Sequence, residues 1–233
     1  MHLIGVRSWP QGSASLLSGL LLLTTCHPAL AYEQQLSPAA LNQAYILGQR
    51  NDSSTAQFLA PYLKQLTDEH AATPRIAEIQ MLTPFAQVVD TSRRFTSGYP
   101  EEQAMREYQQ RGNTVVVRVV LMLPAAFPKP ESESSTTGGI QAPTRSNSDL
   151  KPENFWQNFR FETRQNGKVI PTRSIRNSPI YSTPTKDAPA VLDGAKVWLE
   201  YEARDVASTE TTVQVLTPEA KTIAATFDLS KLR

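Results

Sequence analysis

Apolar residues recur along this chain in two rhythms, and the switch between them divides it. From Tyr32 to about residue 72 the spacing is helical. Leu41, Ala44, Tyr45 and Gly48 fall at i, i+3, i+4 and i+7, one face of a helix. Ser37 before Pro38 supplies a capping side chain, then proline at the first helical position, where its missing N–H is harmless. Gly48 and Asn51 suit the end of that helix. Residues 51–55, Asn-Asp-Ser-Ser-Thr, offer a second cap, and Phe58, Leu59, Tyr62, Leu63 and Leu66 form a second stripe. Pro61 falls inside this stripe, so a kink or a late start is expected there. The spacing predicts a helical hairpin over 32–72.

Residues 73–124 read as strand, helix, strand. The first strand runs from about Arg75 to Leu82. Thr83-Pro84 then caps a short helical stripe of Phe85, Val88 and Val89. A longer helix follows from Pro100 to Arg111. Glu101 and Glu102 complement the positive end of its dipole, and Gly112 stops it. The segment Asn113 to Leu123 is the strongest strand. Val115, Val117, Val119, Leu121 and Leu123 face one way; Val116, Val120 and Met122 face the other, where only Arg118 interrupts. A strand apolar on both faces belongs in the middle of a covered sheet.

Residues 125–152 are rich in Pro, Ser, Thr and Gly and read as a flexible loop. A linker between domains is the obvious alternative. The central strand needs neighbours on both edges, however, and only one strand precedes it, so a loop within one domain is expected over 32–233. Residues 153–233 are β-rich. Phe159, Phe161 and Thr163 alternate with Arg160, Glu162 and Arg164, and Asn166-Gly167 is a strong hairpin turn. The segment from Pro179 to Pro189 reads as a proline-rich crossing loop. Val197, Leu199 and Tyr201 alternate inward against Trp198, Glu200 and Glu202. Two further strands, 211–216 and 221–229, complete the chain. The expected fold is α+β: N-terminal helices packed on a mainly antiparallel, immunoglobulin-like β-sandwich of about seven strands. The Cys…Trp…Cys signature of antibody domains is absent, so the likeness is architectural.

Two stretches resemble each other. Ile79 to Val89 and Val213 to Ile223 share Gln, Leu, Thr, Pro and Ala at matching places. The first copy leads into a helix and the second into a tight turn and a strand, and the flanks do not match. The pair is read as one way of ending a strand, used twice.

Composition adds an address. Arg7 is the only charged side chain before Glu33, Leu16 to Leu23 is almost wholly apolar, and Ala29 and Ala31 form the small-x-small site of a signal peptidase. Residues 1–31 therefore read as a signal peptide, too short in its apolar run to stay across a ~30 Å bilayer core. A lipoprotein anchored through Cys26 is the alternative, with Thr25 a poor residue before it. Export to the periplasm or the outside of the cell is expected, with no transmembrane segment in the mature chain. About seven strands with several helices do not fit a membrane barrel. Of 23 basic side chains the signal removes Arg7 and no acid, leaving 22 against 22 acidic, a formal charge of zero. Such a balance gives no pull toward nucleic acid.

The inventory narrows the chemistry. Cys26 is the one cysteine, and of three histidines only His70 lies beyond residue 31. Thiolate catalysis, redox centres and zinc sites are disfavoured, and neither an EF-hand nor a phosphate loop is present. No cofactor, metal or catalytic residue is assigned. His70, near the expected end of a helix, suits the dipole. The pairs Asp68-Glu69 and Glu101-Glu102 are adjacent and so do not share a helix face. Asn51-Asp52-Ser53 is formally a glycosylation sequon, relevant only in a eukaryotic secretory pathway. One constellation stands out: Trp198, Glu200 and Glu202 on one strand face, an aromatic plate beside carboxylates, as sugar recognition uses. Two carboxylates are also a glycosidase's inventory, with Asp205 close by, but residues two apart on a strand are separated by ~7 Å with no cleft implied. The plain expectation is an outer sheet face with Trp198 covered by an N-terminal helix. The expected role is a non-catalytic binding module whose partner is an envelope protein or a glycan. A carboxylate hydrolase and an envelope assembly factor are the alternatives.

Overall fold

Residues 32–66, 74–95, 97–124, 152–184 and 190–233 are described by the structure, a computed structural model. The expected peptidase site (Ala29, Ala31), Cys26, Asp68, Glu69, His70 and all but the end of the 125–152 stretch lie outside them. The described residues form four α-helices and two antiparallel sheets, an α+β arrangement.

Helix α1 (Pro38–Arg50) starts as its sequence dictates. The Ser37 hydroxyl accepts the Ala40 N–H at 3.2 Å, Pro38 takes the first position, and Asn51 closes the end in the left-handed region at φ 43°. Helix α2 (Ser53–Leu59) is capped by the Asp52 carboxylate, which accepts the N–H groups of Ser54 and Thr55 at 2.9 and 3.1 Å. Those bonds, with one from the Ser54 hydroxyl first among them, hold the carboxyl well below the usual carboxylate range.

The second helix is shorter than its stripe suggests. Pro61 has no N–H for the carbonyl four residues back, so α2 stops at Leu59 and the chain tightens through 60–62. Leu63 then opens a short strand, β1 (Leu63–Gln65), paired antiparallel with β2 (Arg75–Leu82). Leu63 and Leu66 thus lie at a sheet edge and not on a helix, a correction to the expected hairpin.

The larger sheet is organised around β3 (Thr114–Met122). Its strand order is β1, β2, β3, β7 (Leu192–Glu202) and β6 (Ser174–Tyr181). The smaller sheet has the order β5 (Lys168–Val169), β4 (Arg160–Gln165), β8 (Glu210–Leu216) and β9 (Thr222–Asp228). Nine strands are present among the described residues, against about seven expected. The two additional ones, β1 and β6, both form edges of the larger sheet. Strand β6 runs into the segment read as a crossing loop. Pro179 is tolerated there because an edge strand has one unpaired side.

Alternation decides what each face meets. Ile79, Val119 and Val197 face one another across three strands and are fully buried. The same core takes in Val213, Val215 and Phe227 of the smaller sheet. Between the sheets the Thr163 hydroxyl donates to the Tyr201 hydroxyl at 2.8 Å, satisfying two buried polar groups. The opposite face of the larger sheet is covered by α3 (Pro84–Ser92), every residue of which except Thr91 is buried. Thr83 caps α3 by accepting the Ala86 N–H, whereas its counterpart Thr217 accepts the Lys221 N–H in the turn into β9. The two similar stretches therefore diverge after Thr-Pro. Helix α4 (Glu101–Arg111) ends at Gly112, φ 77°. No helix among the described residues is long and apolar enough to cross a membrane.

Helix α1 packs on α3 at Gly48. A Cβ there would lie 2.6 Å from both Ser92 Cβ and the Val89 carbonyl oxygen. In an isolated helix alanine is favoured over glycine by up to ~1 kcal/mol. Here Gly48→Ala is expected to destabilise the fold by ~1–3 kcal/mol, because the two helices must separate. Urea unfolding checks the sign.

Two buried tyrosines tie the chain's segments together. The Tyr32 hydroxyl shares its proton between the carbonyls of Ala203, at 2.7 Å, and Val206; Tyr62 donates to the Arg233 carbonyl at 2.7 Å. Burial pushes both phenols up to about 12. An unfolded tyrosine ionises near ~10, so the unfolded state loses these protons first. Their contribution is complete below about pH 10 and is lost as pH rises toward 12. Tyr32→Phe should lower stability at neutral pH by ~1 kcal/mol and make the alkaline decline shallower, read from unfolding midpoints against pH.

Pairing of β3 with β7 joins chain before residue 125 to chain after residue 151. A protease site introduced between those positions should therefore yield two pieces that co-elute without denaturant. Independent elution of folded pieces would show two domains.

Candidate functional site

The outer face of the larger sheet carries an unusual cross-strand row. Gln80 of β2, Arg118 of β3, Trp198 of β7 and Arg176 of β6 are successive neighbours in register. Side chains opposite one another on adjacent strands share a face and touch. The row therefore puts a tryptophan between two arginines.

Arg118 is the charge in an otherwise apolar strand, and its side chain is only 14 % exposed. A buried charge needs partners. Its Nη2 lies 3.3 Å from Glu78 Oε1, and its Nη1 lies 3.9 Å from Asp90 Oδ2 on α3. Its Nε is buried and has no hydrogen-bond partner among the described residues. Asp90 also receives Arg93 at 2.9 Å and Arg94, one helical turn on. One buried carboxylate thus faces three guanidinium groups.

Arg111 reaches the same region from the last turn of α4. It donates to Gln87 Oε1 at 3.1 Å. Gln87 is itself held from behind, because its amide nitrogen donates to the carbonyls of Leu82 at 3.1 Å and Thr114 at 2.6 Å. Its carbonyl oxygen is left for Arg111, so the glutamine positions the arginine. Burial pushes the Arg111 guanidinium below its usual range, while the nearby Glu107 works the other way.

These groups enclose a pocket of about 90 Å³. Leu82 and Val116 contribute its apolar part; Gln87 and Asp90 come from α3, Arg94 from the turn just after it, and Arg111 from α4. Arg118, Arg176 and Trp198 complete it from the sheet. A second, larger depression of about 580 Å³ lies beside Phe58, Tyr62, Phe85 and Leu232. Its lining is mainly apolar, with Gln57, Ser230, Lys231 and Arg233 also present, and it holds two charged side chains against the five of the Arg118 pocket.

The three residues singled out from the sequence do share this sheet face. Trp198 is half-buried at the pocket, but its covering differs from the plain expectation. The Arg176 guanidinium lies over its ring, 4.5 Å from the centroid, a cation–π contact. Glu200 is tied to Arg176 at 3.2 Å and accepts the Ser174 hydroxyl at 2.8 Å. Glu202 meets Arg173 at 3.3 Å. The two carboxylates thus enter separate ion pairs, Glu200 across to β6 and Glu202 to the residue just before β6. Asp205 sits in the turn after β7, 4.0 Å from the Arg204 Nε. Glu101 and Glu102 lie in the first turn of α4. Among the described residues no three of His, Cys, Asp and Glu converge as metal ligands would.

Sequence reasoning missed Arg94, Arg111 and Arg176, which stand far apart in the chain. Arg118 was the available signal: a charge in a strand apolar on both faces implies a polar enclave beneath whatever covers it. No protein-family model matches the chain, and comparison with curated proteins gives no match.

Proposed function

We propose that this protein is an exported, non-catalytic binding module that engages a glycan or another envelope protein through the outer face of its larger sheet, around Trp198. The observation that carries this reading is the pairing of that face's charges. Glu200 and Glu202, which a hydrolase would hold over a shared cleft, are each paired with an arginine instead, Glu200 with Arg176 on the neighbouring strand and Glu202 with Arg173 just before that strand. The residues that converge on a concave space are arginines beside a tryptophan, a binding inventory. Taken as an immunoglobulin-like sandwich, the scaffold suits recognition by a sheet face, an analogy of architecture alone.

The 32–233 chain, presented to an array of envelope glycans and envelope proteins and to a panel of glycoside and ester substrates, tests the reading. Retention without turnover is expected, falling roughly tenfold or more in Trp198→Ala. Turnover that disappears in the Glu200→Gln/Glu202→Gln double variant would establish the hydrolase instead.

A further inference from the structure

The pocket beside Trp198 has more guanidinium groups than its carboxylate answers. Arg94, Arg111, Arg118 and Arg176 line it against a single acid, Asp90. The carboxylates behind the wall do not fill it. Glu78 and Glu200 engage Arg118 and Arg176, Glu107 lies near Arg111, and Arg93 shares Asp90 with Arg94. Among the described residues, five arginines against four acids leave one positive charge in this neighbourhood.

Two of the donors are far from free solvent. Arg118 is mostly buried, and its Nε has no acceptor among the described residues; a buried N–H left unpaired is expensive. Arg111 has one hydrogen bond among the described residues, to the oriented Gln87. A planar guanidinium carries five N–H donors in a fixed fork that matches carboxylate and phosphate oxygens. Arg94 and Arg176, both more than half exposed, stand at the opening.

Size sets the ligand class. About 90 Å³ exceeds several-fold the ~15 Å³ that admits one water. It falls short of the ~300 Å³ at which pockets begin to enclose whole small molecules. There is room for a charged group, with the remainder of its molecule lying outside.

We propose that this pocket binds a compact oxyanion, a carboxylate or a phosphate group, through Arg111 and Arg118 within and Arg94 and Arg176 at the mouth. The inference rests on the reading of the Trp198 face as a binding surface and names the chemistry bound there. The anion would give Arg118 Nε the acceptor it lacks. Asp90 acts as a positioning residue, holding Arg94 and Arg118 apart from direct mutual repulsion.

Titration calorimetry of the 32–233 chain at low ionic strength, with inorganic phosphate in one arm and glucuronate in the other, tests this. Saturable one-site binding in at least one arm is expected, and it should weaken as salt is raised. Affinity should fall roughly tenfold or more in Arg111→Gln and in the Arg94→Gln/Arg176→Gln double variant. Arg204→Gln, on an exposed turn away from the pocket, should bind as the parent does. The double variant changes only exposed side chains, so it keeps the test valid if Arg111→Gln fails to fold. Binding in the phosphate arm alone assigns a phosphorylated ligand, and binding in the glucuronate arm alone an acidic sugar. No saturable binding in either arm, or binding untouched by the double variant, overturns the proposal. Glycan retention that depends on Trp198 with both arms silent would sink the oxyanion site and leave the binding face standing. Oxyanion binding accompanied by turnover would do the reverse.

Discussion

Strand β3 imposes the requirement on which the rest of the structure depends. It is apolar on both faces, so it is stable only between two covering layers and two neighbouring strands. The smaller sheet covers one face through Val213, Val215 and Phe227, and α3 covers the other. Strands β2 and β7 complete its ladders. Helix α1 then packs on α3, close enough that Gly48 has no room for a side chain. Each layer is needed because the one beneath it would otherwise expose valines.

The site follows from the one exception to that rule. Arg118 carries a charge into the covered face, and a charge in that position demands acceptors. Asp90, on the covering helix, is the buried answer, yet it is shared with Arg93 and Arg94 and lies 3.9 Å from Arg118. The shortfall, made plain by the unpartnered Nε, is what separates this pocket from an ordinary structural ion pair. Neighbouring register then decides what stands beside it. Trp198 is opposite Arg118, and Arg176 is opposite Trp198. The tryptophan is thus a wall between two cations more than an open plate for a sugar.

Local signals in the chain were legible where their physics is local. Ser37 and Thr83 cap helices because a hydroxyl reaches an N–H three residues on. Asn166 and Gly167 turn a hairpin because both adopt positive φ, 48° and 77°. The outward set Trp198, Glu200 and Glu202 was legible because a strand's period is two. Strand β6 was not, since almost all of it is exposed and an exposed strand carries no alternation. The end of α2 is not legible from spacing, because Phe58 and Tyr62 keep helical spacing across Pro61 while both remain against the core.

The amino-acid sequence by itself determined the caps, the turns, the both-faced burial of β3 and the need for an acceptor near Arg118. Each depends on residues within a few positions of one another or on the composition of one strand. Only the tertiary structure decided which residues met that need. Arg94, Arg111, Arg118 and Arg176 come from the turn after α3, from α4 and from two strands, and charges so dispersed look like the surface of any neutral protein. Strand register and the crossing of α3 over the sheet brought them within reach. Register is set by how the two apolar faces pack as a whole, and no single segment encodes that.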